Sequence, residues 1–205
     1  MDQARMFIDI NNNQKKMDKT LLSDLMTVVK DLRQPLTWPS LLVKELNRAG
    51  PWKDRIQILE IQKGKSINLY SFAQYALLQR LLRPTYEHGK LQGYSGPLFK
   101  YAEFRYKRKF DNPENKDAFK KQVDLLQTYF GLVAKLLRHR RPELDRWTNF
   151  RKYGITKATG VNALLLVLGR ILETGKSFDE LRIEKFLEPI KKVRLTNKSI
   201  KRYGR

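Results

Sequence analysis

The amino-acid sequence predicts a mainly α-helical domain with a small β-hairpin, or the C-terminal part of a larger α+β fold. Three observations lead there. Apolar residues recur at steps of three and four along most of the chain. Strand-like alternation is confined to one short region. Proline, glycine and Asx residues punctuate the periodic stretches where helices should start and stop. Residues 1–190 read as one helical domain and residues 191–205 as a basic tail.

Residues 3–10 carry Met6, Phe7, Ile8 and Ile10 and form a short helix or strand, broken by Asn11-Asn12-Asn13. Asp18 is a good N-cap for a helix over about 19–33, with Leu21, Leu22, Leu25, Val28, Val29 and Leu32 as its apolar face. Pro35 ends it. Pro39 lies in the first turn of the next helix, about 38–49, which stops at Gly50-Pro51. Arg55–Ile61 and Ser66–Tyr70 read as the two strands of a hairpin turning at Lys63-Gly64. Ser71 equally suits the cap of a helix over 72–83, which Pro84 breaks.

Residues 84–98 hold Pro84, Gly89, Gly93, Gly96 and Pro97 and predict a flexible loop. The pattern of Leu98–Phe110 does not decide its secondary structure. Asp111-Asn112-Pro113 opens the clearest helix of the chain, with Phe119, Val123, Leu126, Phe130, Val133 and Leu137 on one stripe, bounded by Pro142. Thr156 starts a helix that Gly175 stops. Leu164–Leu168 is apolar all round, which predicts a central position for that helix. Ser177 caps a last helix over about 178–188 with Phe178, Leu181 and Leu187 facing inward.

Composition narrows the function classes. The chain has 205 residues, with 42 Lys+Arg against 21 Asp+Glu, a net charge of +21. Such an excess suits a phosphate-rich partner. It is uneven: residues 1–60 hold ten basic and eight acidic side chains (+2), leaving thirty-two and thirteen (+19) for residues 61–205. Cysteine is absent, which excludes disulfides, thiolate metal sites and a thiol nucleophile. The two histidines, His88 and His139, are far apart. The longest purely apolar run, Ala163–Leu168, is too short to span a bilayer, and no apolar leader stands at the N-terminus. No membrane partner is expected, and the default compartment is cytoplasmic, or nuclear in an organism with a nucleus.

Phe7-Ile8-Asp9-Ile10-Asn11-Asn12-Asn13-Gln14-Lys15-Lys16, followed by Leu21-Leu22 and Leu25, resembles a segment of the DGQHR-domain family. Gly160-Val161-Asn162-Ala163-Leu164-Leu165 resembles that family's late helix. The resemblance implies a core similar to the ParB/sulfiredoxin-like fold and DNA-associated work: regulation of DNA phosphorothioation, or a component of a DNA modification or defence system. It covers the downstream part only. The Asp-Gly-Gln-His-Arg motif that names the family lies upstream in its members and occurs nowhere in this sequence. An N-terminal segment or a partner subunit would have to supply it.

Four groups of residues are candidates for nucleic-acid contact. Asn11, Asn13, Gln14 and Lys15 form a polar turn that could meet base edges and phosphates, or simply turn the chain. Lys100, Arg105, Lys107, Arg108 and Lys109 alternate with Tyr101, Phe104, Tyr106 and Phe110, a pattern that suits base stacking beside a phosphate track as well as a half-buried element with a solvated basic face. Lys135, Arg138, His139, Arg140 and Arg141 cluster at the end of the long helix, where one or two cations also complement its dipole. The tail offers Lys198, Lys201 and Arg202 without a carboxylate nearby, as a binding arm or a solubilising tail.

Catalysis has little support in the sequence. A P-loop, a paired-glycine fingerprint and a GxSxG elbow are all missing, and the carboxylates are scattered. Glu180 and Glu184 sit one turn apart, a pair better explained as solvent-facing than as metal ligands. No metal and no cofactor is expected. The expected function is non-catalytic DNA binding, with RNA binding or a protein-interaction module of a modification or restriction system as the alternatives.

Overall fold

The computed structural model describes residues 18–58, 65–175 and 180–192. It is mainly helical with a small antiparallel strand pair, as the sequence predicts. The stretch before Asp18, residues 59–64, Ser177, Phe178 and residues 193–205 lie outside the described residues.

Asp18 caps helix α1 (Lys19–Val29) by accepting from the amides of Thr20 at 2.5 Å and Leu21 at 3.1 Å. The helix ends at Lys30, earlier than expected, because Lys30 takes a left-handed backbone (φ 54°) and donates its N–H back to the Met26 carbonyl. The expected apolar face is corrected only in part: Leu22, Leu25 and Val29 pack half-buried against the core and Leu32 is buried. Thr20, Ser23, Met26 and Thr27 are buried, whereas Leu21 and Val28 are 39% and 62% exposed. The hydroxyls of Ser23 and Thr27 donate to the Lys19 and Asp24 carbonyls, so these short side chains are satisfied when the helix presses against its neighbour. Lys44 locks that contact from the far side, donating to Asp24 at 2.8 Å and Thr27 at 2.9 Å.

Helix α2 (Thr37–Arg48) buries Trp38, Leu42, Val43 and Leu46 and leads through a 3₁₀ turn (Gly50–Trp52) to strand β1 (Ile56–Gln57). Strand β2 (Ile67–Asn68) pairs with β1 in parallel, Ile56 opposite Ile67, so the hairpin expected over 55–70 does not form. The Asn47 side chain accepts from the Ile56 amide at 2.9 Å and fixes the start of β1, and both isoleucines turn into the core. Asn68, rather than Ser71, caps the helix after β2: its Oδ1 accepts from the Ser71 amide at 2.7 Å.

That helix, α3 (Ser71–Leu82), is wound with π geometry, and the Arg83 amide closes it by bonding the Leu78 carbonyl five residues back, at 2.8 Å. The segment expected as a loop at 84–98 then folds as the hairpin, β3 (Pro84–Glu87) against β4 (Lys90–Tyr94). Its two-residue turn, His88-Gly89, has φ of +47° and +75°, the positive pair that matches strand twist in a type I′ turn. The chain leaves the hairpin pressed against α3. The Gly96 amide bonds the Leu82 carbonyl at 2.8 Å, and a Cβ at Gly96 would collide with the Leu81 carbonyl.

After the short helix α4 (Pro97–Tyr101), residues 102–112 run without regular structure into α5 (Pro113–Leu137). Asn112 caps α5 by accepting from Glu114 N–H at 3.0 Å, and the predicted stripe faces inward: Val123, Leu126, Phe130, Val133 and Leu137 are buried. Helix α6 (Ala158–Glu173) packs on α3, and Tyr129 of α5 donates its hydroxyl to the Leu164 carbonyl at 2.6 Å. Leu164, Leu165 and Leu168 are buried but Leu166 and Val167 are 45% and 37% exposed, so α6 is one-sided rather than enclosed. Thr156 is buried ahead of the helix instead of capping it, and Gly175 (φ +64°) follows its end as expected. Helix α7 (Glu180–Leu187) and a 3₁₀ turn (Glu188–Lys192) close against α5, with Ile183 and Leu187 buried. The aromatic core joins Trp52, Phe72, Phe130 and Trp147 edge to face, and Trp38 stacks on Phe104 at 3.8 Å.

Candidate nucleic-acid interface

The basic segment 105–109 is positioned by two buried amides on α5. Asn115, fully buried, accepts from the Arg105 amide at 2.7 Å and donates to the carbonyls of Arg105 (3.3 Å) and Lys109 (2.9 Å). Further along the same helix, Gln122 accepts from the Trp38 indole N–H at 2.9 Å and donates to the carbonyls of Leu98 (3.3 Å) and Ala102 (2.7 Å). Together they tie the loop backbone to α5: the Arg105 amide and the Ala102 carbonyl find their partners here, and the Leu98, Arg105 and Lys109 carbonyls gain a second donor beside a local backbone amide. With the backbone held inward, the side chains of Lys107, Arg108 and Lys109 are exposed.

These cations form one wall of a cleft of about 670 Å³. The facing wall is the end of α1 and the turn after it: Val28, Val29, Lys30 and Arg33. Lys30 crosses the cleft, its Nζ 5.2 Å from the Phe110 ring centroid, and Lys107 lies over the Tyr106 ring at 5.6 Å. Phe110 is held rigidly by Phe119 and Trp38, and Tyr106 donates its hydroxyl to the Gln92 carbonyl of β4 at 2.8 Å. Of the rings the sequence suggested for base stacking, Tyr106 and Phe110 are packed as cleft walls, Phe104 is wholly inside, and Tyr101 is exposed on α4 away from the cleft.

Five cations and two carboxylates, Asp31 and Asp111, line the cleft, a net of +3. Asp31 chelates Arg33 through Nε at 2.9 Å and Nη2 at 2.8 Å, and this bond and charge raise the Arg33 pKa. Arg108 shares Glu114 with Arg105, both at 3.3 Å. Among the described residues, Lys30, Lys107 and Lys109 have no carboxylate partner. They are the cations available to an incoming anion. The sequence pattern does not mark Lys30 and Arg33 as candidates: they sit in the part of the chain with nearly balanced charge.

The second predicted cluster lies elsewhere. Arg138, His139, Arg140 and Arg141 are exposed just beyond the C-terminus of α5, while the cleft lies at its N-terminus. The helix of 25 residues separates them by about 37 Å along its axis. His139 Nδ1 accepts from the Arg141 amide at 3.0 Å. Arg55, which no sequence pattern marks, lies against both the Trp52 and Trp147 rings at this end; burial, opposed by Asp145 and reinforced by Arg138, pushes its pKa down to about 10. Lys135 is taken up by Glu184 at 3.2 Å. Lys100 is exposed on α4 and does not line the cleft. Asn11, Asn13, Gln14, Lys15, Lys198, Lys201 and Arg202 lie outside the described residues.

Among the described residues, no group of three or more His, Asp or Glu side chains could hold a metal ion, and no helix is long and apolar enough to cross a membrane. Comparison with protein-family models, curated proteins and solved structures finds no match to this chain.

Proposed function

We propose that the chain is a non-catalytic DNA-binding protein that meets its partner chiefly through phosphates, with the cleft between α1 and the 105–111 loop as its main contact. The observation that carries this reading is the convergence of Lys30, Lys107 and Lys109 on one cleft without a carboxylate partner among the described residues. Unpaired cations held on a rigid loop lower the cost of ordering when phosphates arrive, and their condensed counterions are released from the nucleic acid. The exposed arginines beyond α5 supply a second contact about 37 Å away along the helix axis. The resemblance to DGQHR-domain proteins supports a role for this binding in DNA modification or defence.

Fluorescence anisotropy with labelled DNA, offered both single-stranded and as duplex, tests the reading. If six to ten phosphates are contacted, affinity falls about a thousandfold to a hundred-thousandfold between 50 and 200 mM salt. Failure to bind either form in dilute buffer contradicts it.

A further inference from the structure

We propose that the cleft takes an unpaired nucleotide, with the base against its apolar wall and the phosphate against its basic wall, so that the chain prefers single-stranded DNA to duplex. The inference rests on the DNA-binding reading and adds which form of DNA the cleft fits. Its starting point is the chemical difference between the two walls. On one side Lys107 and Lys109 stand on a loop whose carbonyls are tied down by Asn115. On the other, Val28 remains 62% exposed on a helix that buries threonine and serine instead. Val29, half-buried against the core, also lines the cleft, and Lys30 bridges to the basic side by lying over Phe110.

A duplex keeps its base faces stacked inside and offers the valines only sugars and groove edges. An unstacked nucleotide has an apolar face and a charged group on the same unit. It uses both walls at once. The volume, about 670 Å³, lies within the range of pockets that hold small ligands. Because Phe110 and Tyr106 are already fixed by ring contacts and the Gln92 hydrogen bond, the site is largely built before the nucleotide enters.

Three probes of equal length test this in the same buffer at low salt: single-stranded oligothymidylate, the same backbone made abasic, and a duplex. Oligothymidylate should bind about tenfold more tightly than either of the others, the size expected from burying about 55 Å² of base face against apolar side chains. Val28→Asp, a change at an exposed position, should shrink that preference to about twofold or less. Equal or tighter binding of the duplex overturns the inference while leaving phosphate binding intact, as does equal binding of the abasic strand. Absence of binding to all three overturns both.

Discussion

Asn115 and Arg105 hold each other by two hydrogen bonds, from the Arg105 amide to Asn115 Oδ1 at 2.7 Å and from Asn115 Nδ2 to the Arg105 carbonyl at 3.3 Å. A third bond, to the Lys109 carbonyl, makes this one side chain the clamp on the basic loop. Asn115→Ala removes all three and strands the Arg105 amide, while the Arg105 and Lys109 carbonyls keep the Arg108 and Asn112 amides. Chemical denaturation should show a loss of about 1–3 kcal/mol. DNA affinity should fall as well, because Lys107 and Lys109 lose their fixed positions.

The indole of Trp38 secures α4 in a similar way, through Gln122. Its N–H satisfies Gln122 Oε1, and both side chains are fully buried. Trp38→Phe keeps a ring against Phe104 but leaves that oxygen unpaired, at a cost of about 1–3 kcal/mol plus the lost volume. Gln122→Leu should be worse than Trp38→Phe, since it strands both the Trp38 N–H and the Ala102 carbonyl, the Leu98 carbonyl keeping the Ala102 amide. Urea midpoints of the two variants decide the order.

Two glycines of the hairpin region should respond differently to alanine. At Gly96 the added carbon meets the α3 backbone, so the chain must move; a loss of about 2–4 kcal/mol is expected. At Gly89 nothing lies within 4 Å, and only the positive φ of 75° opposes a side chain, worth about 1 kcal/mol. Equal melting shifts for the two would contradict this account of the hairpin.

Stability should decline in alkali. Burial raises the hydroxyl pKa of Tyr129, and that of Tyr94, where the charges of Tyr86 and Tyr106 add to it. Above about pH 10 the unfolded chain releases these protons and the folded chain keeps them, so stability present below that pH is lost as pH rises, by up to about 1.4 kcal/mol per unit for each tyrosine. Arg55, pushed down to about 10, acts in the opposite sense, and two tyrosines outweigh one arginine. Tyr129→Phe loses its bond to the Leu164 carbonyl at neutral pH but should flatten the alkaline decline, as melting curves from pH 9 to 11 would show.

The elements legible in the sequence are those whose signals are local. Asn112-Pro113 and the stripe from Phe119 to Leu137 identify α5, because a cap, a proline at the first position and one buried face all act within the helix itself. Asp18 is legible for the same reason. The hairpin is not, because His88-Gly89 lacks the Asn-Gly signature of a type I′ turn, while Ile56 and Ile67 look like hairpin partners and pair in parallel. The buried face of α1 is legible in part: Leu22, Leu25 and Val29 pack against the core as their spacing predicts, but Thr20, Ser23 and Thr27, with the hydroxyls of Ser23 and Thr27 self-satisfied, are buried more deeply. Half of the cleft is legible as the run Lys107-Arg108-Lys109. The other half, Lys30 and Arg33, carries no local signal, since only tertiary packing brings the α1 turn to Phe110.

The most direct test of the cleft as a phosphate site is the salt dependence of DNA binding by the unmodified chain and by a Lys107→Ala, Lys109→Ala double variant. Loss of two phosphate contacts should make the slope of log affinity against log salt shallower by about 1.4–1.8. An unchanged slope in a folded variant would place the phosphate contacts elsewhere and contradict the account.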